Sequence, residues 1–247
     1  MTDISDDDLA AQRALMFSES AGIRESQEIQ TAVLVYEVPV RLWHWMNFFA
    51  ILALFVTGYL IAIPTPSLGG EASAHFLFGN IRLIHYAAGQ VFAWGFLARA
   101  LFALIGNHTS REIFYVPFWR QEWRKGFFRM LRWYCFMEKR APRFIGHNPV
   151  AQMMMFGAFV LPSLVVISTG VALYVEALGM DHPLRVITDF VFSITGGSLQ
   201  THVWHHLAMW MMVVFAILHI YAAIREEIMS RQSMISTMIS GWRMFKD

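Results

Sequence analysis

One cysteine, Cys135, serves a chain of 247 residues. That scarcity excludes an internal disulfide framework and a thiolate zinc cluster. Charge is scarce too: Asp, Glu, Lys and Arg make up 15% of the chain, against about a quarter in an average soluble domain. With 56% hydrophobic residues, this is a membrane composition. The formal net charge is +1, and no basic run resembles a nucleic-acid arm. The acidic start (Asp3, Asp6, Asp7, Asp8) lacks the basic–apolar–small pattern of a cleavable signal peptide, so the first membrane helix is expected to act as its own address. Carboxylates are missing where a di-iron bundle would need them. No internal repeat or discontinuous span stands out, which argues against a transporter.

Four long apolar stretches are present, about 42–63, 81–105, 151–175 and 201–224, each long enough to cross a hydrocarbon slab of about 30 Å. The expected fold is an all-α integral membrane protein, a four-transmembrane-helix bundle. Pro64 and Pro66 close the first span, and Pro162 should kink the third, as neighbouring helices in a membrane allow. Residues 1–34 read as a polar, disordered lead with a short extended piece at Ala32–Tyr36, leaving 35–247 as one helical domain. Between spans 2 and 3, cations alternate with aromatics (Phe118-Trp119-Arg120, Trp123-Arg124-Lys125, Phe127-Phe128-Arg129, Arg132-Trp133-Tyr134). That pattern predicts an interfacial helix, apolar face down.

The basic residues orient the bundle. Of the 19 Lys and Arg, all but three lie in the lead, in the loop after span 2 or in the tail. The exceptions are Arg82 and Arg185 on the other side and Arg99 inside span 2. By the positive-inside rule both termini are cytoplasmic, and the helix between spans 2 and 3 is a cytoplasmic interfacial helix.

Histidines are the ionisable groups at membrane depth, where such groups are functional candidates. His44 lies near the cytoplasmic start of span 1, and His85 about one turn into span 2 from the other side. His205 and His219 share span 4, about 21 Å apart along the axis and about 40° apart in azimuth. The depths match two by two: His85 with His205 outside, His44 with His219 inside. Any one of them alone could be an interfacial anchor; two depth matches point to ligands. With only imidazoles pairing at these depths, haem iron is the natural client, and two histidines per iron close both axial positions. His202 and His206 face away from that line, fitting interfacial hydrogen bonds or, for His202, a propionate contact. Arg41 and Arg82 stand beside the two N-terminal histidines, where they could meet propionates or lipid headgroups. His75, His108, His147 and His182 read as surface or packing residues. Gly58, Gly89, Gly95, Gly157 and Gly170 either let a porphyrin approach the backbone or serve close helix packing.

Arg41-Leu-Trp-His-Trp-Met-Asn-Phe-Phe-Ala-Ile-Leu-Ala-Leu-Phe-Val-Thr-Gly58 and His205-His206-Leu with Trp210, Phe215 and His219 resemble the signatures of the b-type cytochrome subunit of membrane-bound [NiFe] uptake hydrogenases. Similar stretches are Ile81-Arg-Leu-Ile-His85, Gly106-Asn-His-Thr-Ser-Arg-Glu112, Ile145-Gly-His-Asn-Pro149 and Arg225-Glu-Glu-Ile-Met-Ser230. The resemblance runs from about residue 35 to the C-terminus. It implies two haems b between the helices, with His44, His85, His205 and His219 as iron ligands and Arg41, Arg82 and His202 as further cofactor contacts. On family grounds His202 or His206 could exchange places with His205. It also implies a bacterial inner-membrane anchor for the small and large hydrogenase subunits, the small one in direct contact, passing electrons from their iron–sulfur chain to quinone. The hydrogen-splitting site would lie in those partners, not in this chain. The rivals are a cytochrome b of the formate-dehydrogenase type and, in a different class, a cofactor-free membrane anchor.

Overall fold

The computed structural model describes residues 32–64, 76–139, 142, 144–179, 181–230 and 233–244. The expected disordered lead, save for its last residues, and His75 lie outside them. Four helices are long and apolar enough to cross a membrane: α1 (Val38–Ala62), α2 (Leu77–Ile105), a third span over Pro149–Leu178, and α8 (Ser198–Met229). Each starts a few residues before the apolar stretch read from sequence, where helical hydrogen bonding already holds the flanking residues, and α1 stops one residue short of its expected end, at Ala62. The four-helix membrane bundle expected from composition is the fold observed.

The third span is built in three pieces: α5 (Pro149–Met155), a π turn (Phe156–Val160) and α6 (Leu161–Leu178). Pro162 explains the interruption. Proline donates no N–H and its ring collides with the preceding turn of an α-helix, and a one-turn π bulge absorbs the mismatch. The Leu161 amide accordingly bonds the Phe156 carbonyl, and the Ser163 hydroxyl donates to the Phe159 carbonyl at 2.7 Å.

α1 packs closely on α2, and α6 packs closely on α8; the backbone of α8 stands away from both α1 and α2. The bundle is thus two helix pairs facing each other across a gap. Ala50, Phe92, Phe96, Phe159, Val160, Met212 and Phe215 fill the middle of that gap. Outward-facing apolar side chains such as Phe49, Leu104, Ile105 and Leu199 remain largely exposed, the surface that lipid would cover.

One end of the bundle carries a two-stranded antiparallel ribbon, β1 (Ala32–Leu34) against β2 (Trp242–Met244), with Val33 opposite Arg243. The extended piece at 32–36 thus finds its partner at the other end of the chain. At this ribbon end, a single turn α3 (His108–Arg111), the amphipathic helix α4 (Gln121–Tyr134) and the short α9 (Thr237–Ser240) close over the helix termini. α4 is the helix expected between spans 2 and 3, with Met130 and Trp133 buried and Lys125 and Arg129 exposed. It is fastened to α8: the Arg225 guanidinium lies 4.3 Å from the Trp133 ring centre and 4.8 Å from that of Tyr134, and the Tyr134 hydroxyl donates to Glu226. Burial, with Glu226 beside it, holds the Tyr134 phenol above its ordinary pKa, so it stays a donor.

The loop before the third span explains its own sequence. Asn148 caps α5 by accepting from the Ala151 amide at 2.8 Å, with Pro149 in the first turn, where a missing N–H costs nothing. Gly146 has φ +87°, and a Cβ there would stand 2.5 Å from a Glu112 carboxylate oxygen, so only glycine fits. An eleven-residue helix, α7 (Arg185–Thr195), occupies the connection between the third span and α8.

Candidate functional site: two histidine pairs between facing helix pairs

The four histidines singled out in the sequence come together in twos. Near the ribbon end the rings of His44 (α1) and His219 (α8) have centroids 6.3 Å apart. Toward the opposite end the rings of His85 (α2) and His205 (α8) have centroids 6.5 Å apart. Two imidazoles bound on opposite sides of one metal, each through a bond of about 2 Å with the ring centre about 1.1 Å further back, have centroids about 6.2 Å apart. Both observed spacings match that arrangement and are too wide for a direct hydrogen bond between the rings. Among the described residues no three His, Cys, Asp or Glu side chains gather as a bare metal ion would require. Pairs without a third or fourth ligand suit a metal whose remaining positions are filled by a macrocycle.

The pair away from the ribbon is oriented by hydroxyls. The Thr57 hydroxyl of α1 lies 2.6 Å from the Ala53 carbonyl oxygen and 2.9 Å from His85 Nδ1. In α6, the Thr169 hydroxyl lies 2.5 Å from the Val165 carbonyl oxygen and 2.8 Å from His205 Nδ1. A hydroxyl has one proton. Given to the carbonyl one turn back, it leaves a lone pair that accepts from the imidazole Nδ1–H. Each ring is then held in the tautomer whose Nε2 carries the free lone pair a metal takes.

Glycine completes the cradle. A Cβ on Gly58 would meet His85 Cε1 at 3.2 Å, and one on Gly170 would meet His205 Cε1 at the same distance. The Thr-Gly pair of α1 thus seats a histidine of α2 as the Thr-Gly pair of α6 seats a histidine of α8. The two helix pairs repeat one local device although no repeat is evident along the sequence. Of the other glycines on the spans, Gly95 faces Met46 and Trp43, while Gly89 and Gly157 have open space or one distant contact.

The ribbon-end pair is set differently. Phe215 stacks on His219 with centroids 5.5 Å apart and planes 24° apart, and Trp45 meets His44 edge-on at 5.2 Å. Among the described residues, buried side-chain atoms without a hydrogen-bond partner are found on five residues near this pair, Arg41 Nε, Trp43 Nε1, His44 Nδ1, Asn47 Oδ1, and Arg99 Nε and Nη1, and on Arg243 Nε away from it. Unpaired buried polar atoms are rare in native proteins, and all of these but one collect beside one imidazole pair.

The remaining candidates fall outside the pairs. His202 and His206 are turned to their own helix, their Nδ1 atoms 3.0 Å from the Ser198 carbonyl oxygen and 2.9 Å from the His202 carbonyl oxygen. Arg82 is exposed three residues before His85. Arg41 reaches the C-terminal segment, its guanidinium donating to the Ile239 carbonyl. His108 is on the surface, and His182 accepts from the Leu184 amide. His147 is a packing residue with two partners: its ring and backbone amide both contact one Glu112 carboxylate oxygen, at 2.9 and 2.8 Å, and the Tyr36 hydroxyl lies 3.3 Å from its Nε2. Sequence reasoning missed Thr57, Thr169 and the buried Arg99; a Thr-Gly pair in each of spans 1 and 3 was the available signal.

The model of the family described as prokaryotic cytochrome b561 matches residues 35–241. The chain is 49% identical over 229 residues to the Probable Ni/Fe-hydrogenase B-type cytochrome subunit of Azotobacter vinelandii, covering 93% of this chain and 95% of that one. It is 52% identical over 215 residues to the protein of the same name from Bradyrhizobium diazoefficiens, 87% of each chain. With the Probable Ni/Fe-hydrogenase 1 B-type cytochrome subunit of Escherichia coli K12 it shares 46% identity over 214 residues, 86% of this chain and 91% of the other. Matched over most of its length and built on four membrane-length helices, this chain belongs to the prokaryotic cytochrome b561 family.

Proposed function

We propose that the chain holds two b-type haems, one between His44 and His219 and one between His85 and His205, and carries electrons across the membrane from a [NiFe] hydrogenase to quinone. The observation that carries this reading is the pair of imidazole–imidazole spacings, each that of two ligands sharing one metal. The family supports a b-type haem, and the relatives' names support a hydrogenase partner over the formate-dehydrogenase alternative. A cofactor-free anchor would have no use for two histidines seated by matching Thr-Gly cradles.

Bound haem supplies the one-electron chemistry of its iron. The chain's residues define what that chemistry is for. His44 with His219, and His85 with His205, would each hold one such group through two side chains and leave no room for oxygen at the iron, so the chemistry supplied here would be electron transfer rather than ligand activation. Thr57 and Thr169 fix two of the four rings and tune their basicity through Nδ1. Phe159, Phe215 and Met212 keep water out of the gap between the two levels. The levels are about 21 Å apart along α8, enough to span most of a bilayer. Arg82 and His202, each one turn before a ligand of the pair away from the ribbon, are placed for the acid groups of its haem, and Arg41 for those at the ribbon end. With the basic residues concentrated at the ribbon end, that end is cytoplasmic, in the inner membrane of a bacterium. The hydrogenase small subunit docks at the opposite, periplasmic end, with the large subunit behind it, and quinone is reduced toward the cytoplasmic side.

The test is haem content per chain and the reduced-minus-oxidised visible spectrum of the purified protein. We expect two haems in the wild type, and one each in His219→Ala and His85→Ala, with the surviving spectrum unaltered. A colourless wild type, or single variants that both retain two haems, refutes the assignment.

A further inference from the structure

Arg99 is a buried cation in the last turns of a membrane-length helix, only 3% exposed, and it forms none of the salt bridges found among the described residues. Its guanidinium carbon lies over the rings of Trp43 and Phe114, 5.5 and 5.6 Å from their centres. Nε and Nη1 are buried without an acceptor, and so is the indole nitrogen of Trp43 beside it. Aromatic faces attract the charge, but at best they are weak acceptors and do not replace an oxygen for its N–H groups. A buried charge is normally paired, and within a membrane such a group marks a site with a partner.

Its position says where the partner comes from. α2 and α8 correspond in the two facing helix pairs, since each gives one histidine to the pair away from the ribbon. Fourteen residues beyond His205 on α8 stands His219; fourteen residues beyond His85 on α2 stands Arg99. On a helix that separation returns to nearly the same face, about 40° off and about 21 Å along. So at the level where α8 offers its second imidazole, α2 offers a guanidinium, and the opposing imidazole comes from α1 as His44. His44 is six residues from the start of α1 and Arg99 six from the end of α2, which puts both at about the same depth, about 9 Å in.

We propose that Arg99, with the Trp43 indole N–H, binds a carboxylate of the group held between His44 and His219, which on the reading above is a haem propionate. The chemistry asks for an anion rather than a neutral acceptor: the guanidinium is permanently charged, and planar carboxylate recognition is what it does best. The role is one of positioning and charge compensation. A cation beside the propionate makes reduction of the adjacent iron easier, so Arg99 sets the potential at the ribbon-end level and leaves the other level alone.

The proposal is tested by redox titration and haem content of the purified chain carrying Arg99→Gln or Arg99→Lys. We expect R99Q to lower the midpoint of the component that disappears in His219→Ala, or to lose that haem, while the component lost in His85→Ala keeps its midpoint and spectrum and so reports an intact fold. R99K keeps the charge and should retain the haem with a smaller shift. Two unchanged midpoints at full haem content in R99Q would overturn the proposal, leaving Arg99 a cation held over two aromatic rings. Unchanged midpoints with a raised KM for quinone, measured in the complex with the hydrogenase, would overturn it as well, assigning the N–H groups to quinone oxygens. The haem reading fails separately, if His219→Ala removes no haem.

Discussion

With two haems bound as proposed, replacing Thr169 by valine should loosen and retune one haem and spare the other. The substitution keeps the side-chain shape and exchanges one hydroxyl for a methyl group. That hydroxyl is 2.8 Å from His205 Nδ1, and it is the only protein acceptor the ring's Nδ1–H has among the described residues. Without it a buried N–H loses its partner, at a cost of about 1–3 kcal/mol. The same range follows from the chemistry of metal sites, where losing a group that orients a ligand costs about 10–100-fold in affinity, or about 1.4–2.7 kcal/mol. The direction of the potential change also follows. A bond accepted from Nδ1–H makes the imidazole a stronger donor and favours the oxidised metal, so removing it raises the midpoint. If about 1 kcal/mol of the loss distinguishes the two oxidation states, the shift is about 40 mV for one electron.

The assay is a potentiometric titration followed in the visible, with haem per chain measured on the same sample. T169V should move the component that His85→Ala deletes upward and leave the His44/His219 component in place. T57V, acting on the partner imidazole through a 2.9 Å contact, should do the same, whereas Thr169→Ser, which keeps the oxygen, should change little. Normal haem content and unmoved midpoints in T57V and T169V would refute the claim that these hydroxyls hold the rings. A shift in the other component would refute the assignment of the pairs.

Gly58→Ala and Gly170→Ala should each weaken the haem between His85 and His205, because the added Cβ arrives 3.2 Å from an imidazole carbon. A helical Gly→Ala change gains about 0.5–1 kcal/mol in propensity, so the apoprotein should melt no lower than the wild type while the holoprotein loses haem on dilution; thermal melts with and without haem separate the two effects. Tyr134→Phe removes a donor from the buried Glu226 carboxylate, leaving Asn148 at 2.7 Å, and should cost about 1–3 kcal/mol at the ribbon end. Limited proteolysis after α4 should then quicken with both haem spectra unchanged; altered spectra would mean that α4 does more than cap the bundle.

The spans were legible because apolar length alone decides which segments can enter a bilayer, and Lys and Arg placement allows an orientation to be argued without any tertiary contact. α4 was legible for a related reason, since its cations and aromatics alternate with the period of a helix lying on a surface. What could not be read is set by packing. α7 is an amphipathic helix in a segment that looks like a loop, and its buried Thr188 and Val191 show their purpose only once the third span and α8 lie beside them. The π turn follows from Pro162 in hindsight, but a plain kink would satisfy the sequence equally well.

The histidines illustrate the same division. Fourteen residues between His205 and His219 place two rings on one helix face whatever the neighbours do, so their line could be read directly. Their opposite numbers could only be matched by depth, and it is the structure that turns a match in depth into ring centroids 6.3 and 6.5 Å apart. Thr57 and Thr169 were hidden because a hydroxyl in a membrane helix usually does no more than bond its own carbonyl one turn back. These two do that as well. Their second contact crosses to another helix, and sequence spacing carries no trace of it, with 28 residues separating Thr57 from His85 and 36 separating Thr169 from His205. One cradle thus occurs twice, on helix pairs whose connecting segments differ in length. A chain that shapes the same seat for an imidazole in both halves of its bundle, and leaves unpaired donors around the other imidazole pair, has been built around what lies between the rings.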